Sequence, residues 1–164
     1  MDFSSHSSKQ KIRNRLQAGL AHLDQRDQQL AQVKNCCDLL VRGIGVHHGG
    51  MLPLLREMVE LLFADGLLPV IFATETFAIG LNMPAKSVIF TDVLKFDGRR
   101  RRPLNPSEFR QMSGRAGRRG LDFEGHVYVM LHSDTLMRQP ATRVLGQLYT
   151  EEPSEVKSCY RVRW

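Results

Sequence analysis

Two short runs in this chain contain only apolar residues: Val70-Ile71-Phe72-Ala73 after Pro69, and Val88-Ile89-Phe90 after Ser87. A strand with one wetted face alternates apolar and polar residues, whereas a strand covered on both faces does not. The expected fold is therefore α/β, a parallel sheet with helices on its faces. Helical patterns surround the runs. Ile12, Leu16, Leu20 and Leu23 recur at helical spacing, as do Leu30, Val33, Cys37 and Leu40, with Gly43 placed as a C-cap. From Pro53 to Gly66, Leu54, Leu55, Met58, Leu61 and Leu62 form one stripe. Ile44-Gly45-Val46 reads as a short strand, and the alternating stretch from His126 to Leu131 as the strand that closes the sheet. In such a fold the ligand face is expected in the loops at the strand C-termini.

Turn chemistry divides the rest. Asp97-Gly98 is a two-residue hairpin signal. Asn105-Pro106-Ser107-Glu108 supplies an N-cap, a proline at the first helical position and a carboxylate at the third. Residues 1–8 are serine-rich and expected to be disordered, so the domain is expected over 9–150, with 151–164 beginning a linker.

The length suits one domain of ordinary size, and no run is apolar enough for a signal peptide or a membrane span, so no membrane partner is expected. Cys36, Cys37 and Cys159 make neither a disulfide framework nor zinc-ligand spacing, which implies reduced thiols and no metal centre. The net charge is +6, and residues 95–119 alone carry +7: Lys95, Arg99 to Arg102, Arg110, Arg115, Arg118 and Arg119 against Asp97 and Glu108. An excess confined to one segment points to a polyanion, nucleotide or nucleic acid, with a solvated basic face as the alternative.

Three stretches carry candidate chemistry. In Gln111-Met112-Ser113-Gly114-Arg115-Ala116-Gly117-Arg118-Arg119-Gly120, arginines alternate with glycines. Glycines let backbone approach a bulky anion, and guanidinium forks match phosphate oxygens without losing charge. Thr74-Glu75-Thr76, directly after an apolar strand, can hold a phosphodiester without reading bases. In His47-His48-Gly49-Gly50 the two histidines point to opposite faces of a strand, which argues against a shared metal. The glycines allow amides to reach a phosphate, and a packed structural role is the alternative for His47.

The ordered pattern Gln-x-x-Gly-Arg-x-Gly-Arg at 111–118 resembles motif VI of superfamily 2 helicases. The stretch from Phe72 through Thr74, Glu75, Thr76, Gly80 and Asn82 to Lys86 resembles motif V of the superkiller and exosome-associated DExH RNA helicases, and Leu39 to Gly50 precedes it in the right order. Lys157 to Val162 resembles the start of that family's winged-helix region. The resemblance implies the C-terminal RecA-like domain of such a helicase, a partial one, because its first strand is not recognisable before residue 9. It implies ATP-dependent unwinding of RNA, 3′ to 5′, linked to the exosome. In that scheme Arg118 is the arginine finger, aided by Arg115 and oriented by Gln111. Gly80, Asn82 and Gly114 lie near ATP. His48, Gly49, Gly50, Arg56, Thr74, Glu75 and Thr76 follow the RNA backbone, and Arg99, Arg100, Arg101 and Arg102 guide RNA from the hairpin. The implied partners are RNA, the first RecA-like domain and exosome-associated proteins. The implied location is cytoplasmic, with a nuclear one as the alternative. Neither Gly-x-x-x-x-Gly-Lys-Ser/Thr nor Asp-Glu-x-His occurs in the 164 residues. ATP and Mg2+ would therefore be held mainly by the other domain, and no turnover is expected from this chain alone. A DNA helicase of the same superfamily and a non-catalytic half-helicase that binds RNA or a partner remain as rival readings.

Overall fold

In the computed structural model both apolar runs are strands and each pairs in parallel, but neither is covered on both faces, since Phe72 is 59% and Ile89 60% exposed and each lies in a two-stranded pair. The structure describes residues 2–75, 77, 83–133 and 141–150. The chain divides into two compact units, Met1–Met83 and Pro84–Trp164.

In the first unit, β1 (Ile44–His47) pairs in parallel with β2 (Val70–Ala73), Ile44 opposite Val70 and His47 opposite Ala73. Three helices supply most of its core. From α1 (His6–Leu20) come Ile12 and Leu16, and from α3 (Ala31–Val41) come Val33, Cys36 and Leu40. From α4 (Pro53–Ala64) come Leu55, Met58, Val59 and Leu62. A single turn, α2 (Gln25–Gln28), separates α1 from α3. The serine-rich start is ordered where disorder was expected. The Ser5 hydroxyl accepts the Ser8 amide at 3.1 Å and opens α1 at His6, and the Phe3 amide donates to the Arg42 carbonyl. Serine is a favoured N-cap because its oxygen satisfies an amide that the helix leaves unpaired.

Two side chains change places relative to the expected stripes. On α3 the buried thiol is Cys36, with Cys37 at the flank. Burial pushes the Cys36 thiol up to about 11, so it packs as a small inert hydrophobe. On α4 the inward row includes Val59, while Leu61 is 51% exposed. Gly43, after α3, has φ +80, and a Cβ there would stand 2.6 Å from the Ser4 hydroxyl. It is the αL residue that ends the helix and turns the chain into β1.

In the second unit, β3 (Ser87–Phe90) pairs in parallel with β6 (His126–Val129), Ser87 opposite His126. Between them lies an antiparallel hairpin, β4 (Leu94–Phe96) with β5 (Arg101–Pro103), followed by α5 (Pro106–Ser113). The hairpin loop has four residues rather than two, because Phe96 pairs with Arg101. The Asp97 carboxylate accepts the amides of Arg99 and Arg100, both at 2.9 Å, and Gly98 takes φ +95. An aspartate side chain that bonds the backbone just after it folds the chain into such a turn. Phe90, Val93, Leu104 and Phe109 form the core with Val144 and Leu148 of α6 (Ala141–Thr150), and Phe90 stacks on Phe109 with ring centroids 4.7 Å apart. No helix among the described residues is long and apolar enough to cross a membrane.

Leu55 is fully buried and Leu61 is not, although both lie on the expected stripe. Leu55→Ala should destabilise the protein by about 2–5 kcal/mol. Leu61→Ala should cost less than about 1 kcal/mol. Denaturant unfolding of both variants checks this, and equal losses would contradict the packing of α4.

Candidate functional site

Parallel pairing brings the ends of β1 and β2 to one edge of the first unit, where the Thr74 amide donates to the His47 carbonyl at 3.1 Å. The loop after β1 is folded by its own residues. The His48 Nδ1 accepts the Gly50 amide, and the Met51 amide returns to the His48 carbonyl, both at 3.1 Å. Gln32 on α3 grips the same loop from both sides. Its Nε2 donates to the Gly50 carbonyl at 3.1 Å, and its Oε1 accepts the Leu52 amide at 3.0 Å. Nothing in the sequence marked Gln32, because an isolated glutamine on a polar helix face has no pattern. Gly49 and Gly50 are exposed, and a Cβ on Gly49 would meet nothing within 4 Å. Thr74 and Glu75 are exposed beside this loop, and Arg56 is half-buried on α4, its Nε enclosed without a hydrogen-bond partner.

His47 is a packed histidine. It is 5% exposed, its Nε2 lies 2.7 Å from Glu60 Oε1, and its ring meets Phe77 edge-on at 5.0 Å. Thr76, expected along the RNA backbone, and Gly80 and Asn82, expected near ATP, lie outside the described residues, as does 151–164.

In the second unit α5 carries Gln111, exposed, into the arginine loop. Main chain fixes that loop. The Ala85 amide donates to the Arg115 carbonyl at 2.9 Å, and the Gly117 amide donates to the Ala85 carbonyl at 2.7 Å. Ala85 precedes β3 and Gly125 precedes β6, so the loop lies where those strands begin. Residues 48–50 and 74–75 follow the C-termini of β1 and β2, whereas the arginine loop follows a helix and lies at the strand starts. A Cβ on Gly125 would stand 2.5 Å from the Ala116 carbonyl carbon. Only glycine permits that approach.

Arg115 is half-buried in the loop, and Gly114, Arg118 and Arg119 are exposed. Arg118 makes a bidentate pair with Asp122, Nε to Oδ2 at 2.8 Å and Nη2 to Oδ1 at 2.9 Å. The Arg118 amide also donates to Oδ2 at 3.0 Å. The Arg118 guanidinium holds the Asp122 carboxyl down at about 2.

The hairpin arginines divide. Arg102 donates to both oxygens of Glu108, at 2.9 and 2.7 Å, and Lys95 donates to Oε1 at 2.8 Å. Arg101 lies 3.5 Å from Asp92 and is largely exposed. Arg99 and Arg100 are exposed at the tip. Widening the basic window to 92–122 adds Asp92 and Asp122 and lowers its excess from +7 to +5. Among the described residues no group of three His, Cys, Asp or Glu could hold a metal ion.

The family of the helicase conserved C-terminal domain matches residues 13–120. Superkiller complex protein 2 of Mus musculus is 46% identical over 164 residues, all of this chain and 13% of the relative. Antiviral helicase SKI2 of Saccharomyces cerevisiae is 46% identical over 162 residues, 99% of this chain and 13% of the relative. Exosome RNA helicase MTR4 of Homo sapiens is 47% identical over 131 residues, 80% of this chain and 13% of the relative. The chain thus spans a small part of the curated relatives it matches.

Glu108 offers a pH test of the hairpin anchor. Hydrogen bonds from Arg102, then Lys95 and the Asn105 amide, pull its carboxyl from 4.5 down to about 2. A lowered value in the folded state means stability that is present above the unfolded value and lost as pH falls through the folded one. The stability advantage of wild type over Glu108→Gln should be constant from neutrality to about pH 5 and vanish towards about pH 2. Thermal unfolding of both proteins across that range measures it. A difference that does not change with pH would contradict the charged anchor.

Proposed function

This chain belongs to the family of the helicase conserved C-terminal domain, and on that premise we propose that it is the half of an ATP-dependent RNA helicase that meets the nucleotide's phosphates and follows the RNA backbone. The names of its relatives place them among superkiller and exosome RNA helicases, which supports exosome-linked RNA degradation as the setting. The observation that carries the reading is the arginine loop. Its main chain is pinned to Ala85, and its exposed guanidinium at Arg118 is held in one orientation.

The donor set fits a triphosphate. Guanidinium groups match phosphate oxygens in geometry and stay charged when water is excluded. ATP bound by the first RecA-like domain supplies the bond to be cleaved. Arg118 reaches the developing charge on the transferred phosphoryl group as the finger, Arg115 adds a second cation, and Gln111 orients the site from the end of α5, with Gly114 giving close approach. No residue of this chain is assigned to Mg2+. In the first unit, His48, Gly49, Gly50, Arg56, Thr74 and Glu75 lie along the RNA backbone. Arg56, half-buried on α4, adds a guanidinium, a group that matches phosphate oxygens and keeps its charge. Gln32 holds the glycine loop in shape.

In the full-length helicase, Arg118→Ala should lower the RNA-stimulated kcat by about 10³-fold, the scale on which arginine fingers act. RNA affinity without nucleotide should stay as in wild type. Steady-state ATPase assays decide, and a rate within a few-fold of wild type would remove the assignment.

The hairpin gives a second test. Arg99→Ser with Arg100→Ser should flatten the log–log salt dependence of RNA affinity by up to about 1.4, at roughly 0.7 per phosphate contact. Arg102→Ser should instead lower the unfolding midpoint, because Glu108 loses its bidentate partner. Salt titrations that run parallel for wild type and the tip variant would show that the hairpin tip never meets RNA.

A further inference from the structure

Asp122 lies outside the Gln-x-x-Gly-Arg-x-Gly-Arg pattern, yet it determines how Arg118 is presented. Its side chain is 7% exposed, whereas that of Arg118 is 44% exposed. The turn from 118 to 122 folds the carboxylate back onto its own loop, with the Leu121 and Asp122 amides donating to the Arg118 carbonyl at 3.0 and 2.9 Å. The carboxylate then takes three donors from one residue, the Arg118 amide, Nε and Nη2. A guanidinium has five donors distributed over three edges. Asp122 occupies the inner edge, formed by Nε and Nη2. The outer edge, formed by Nη1 and the second hydrogen of Nη2, is left for an acceptor approaching from solvent.

We propose that Asp122 is the positioning residue of the arginine finger. It fixes the Arg118 side chain by one edge so that the opposite edge meets the phosphoryl oxygens already oriented. The inference rests on reading Arg118 as the finger. An arginine side chain gives up several rotatable bonds when it engages a ligand, and a carboxylate that has already ordered them removes that cost from the reacting complex. The alternative is a latch in which Asp122 competes with phosphate and restrains hydrolysis. The two differ in sign. A positioning residue raises kcat, and a latch lowers it.

The test is a double-mutant cycle in the full-length helicase. RNA-stimulated kcat, KM for ATP and nucleotide-free RNA affinity are measured for Asp122→Asn, Asp122→Ala, Arg118→Ala and Arg118→Ala with Asp122→Asn. Asparagine keeps an oxygen for the Arg118 amide and loses the charge. Asp122→Asn should lower kcat by about 10- to 100-fold, the cost of a misplaced catalytic group. KM and RNA affinity should stay within about 3-fold of wild type, and Asp122→Ala should lose at least as much rate as Asp122→Asn. On the Arg118→Ala background Asp122→Asn should have no further effect, because residues that act through one another are not additive. A rise in kcat for Asp122→Asn would identify a latch and overturn the proposal. An undiminished effect on the Arg118→Ala background, or a parallel fall in RNA affinity, would overturn it as well. Full kcat in Arg118→Ala would defeat the finger assignment itself, and the positioning role with it.

Discussion

The second unit depends on one carboxylate. Glu108 accepts from Arg102 through both oxygens, from Lys95, and from the Asn105 amide at 2.9 Å. It thereby joins β4, β5 and the start of α5. The Asn105 side chain completes the reciprocal cap by accepting the Glu108 amide at 2.8 Å. A capping box satisfies two amides that a helix would otherwise leave unpaired. Here it also sets where α5 begins relative to the hairpin. The helix runs from Pro106 to Ser113 and delivers the chain into Gly114 and the arginine loop. The direction in which those arginines leave the helix is thus tied to a pair of β strands by charge-assisted hydrogen bonds, which are stronger than neutral ones.

The same bond explains why a count of basic residues misjudges an interface. Composition shows that the positive charge is concentrated between the two strands of the β3–β6 pair. It does not show which cations the fold consumes. Arg102 and Lys95 are committed to Glu108, Arg101 leans on Asp92, and the inner edge of Arg118 belongs to Asp122. Two of these carboxylates lie just outside the basic window, so its excess was overstated. What separates Arg99 and Arg100 from Arg102 is strand register. Arg102 pairs with Lys95 across the hairpin, so the two cations share Glu108, while the other two occupy the loop.

Much of the fold was legible because its signals are local. The apolar runs, the proline and glycine at the ends of α4, the Gly43 cap and the Asn105–Glu108 box depend on residues within a few positions of each other, and all are present. The misreadings came from longer-range terms. Leu61 shares the stripe with Leu62, but α4 turns Val59 inward instead. Cys36 and Cys37 are adjacent, and only the packing of α3 decides which is buried. The hairpin loop has four residues rather than two, with the Asp97 carboxylate accepting the amides of Arg99 and Arg100 within it. At the candidate site, the motif residues stand out by their pattern. Gln32 and Asp122 were missed because each acts through a partner that only the fold supplies, Gln32 from a distant helix and Asp122 from the far side of a turn.

The glycines of the arginine motif do structural work. Their spacing suggests backbone that makes room for an anion. In the structure the tightest approach is between protein backbones: Gly125 against Ala116 and Gly117, with Gly117 itself at φ +92. Any side chain at 125 would push the loop off the segment that precedes β3 and break the bridge between Ala85 and Ala116. The loop is thus located by main-chain hydrogen bonds, which need no arginine. Position comes from amides and carbonyls, and Asp122 fixes the orientation of the Arg118 side chain by its inner edge. The glycines thus serve the fold directly: Gly117 takes a positive φ, and Gly125 admits the close approach that locates the loop.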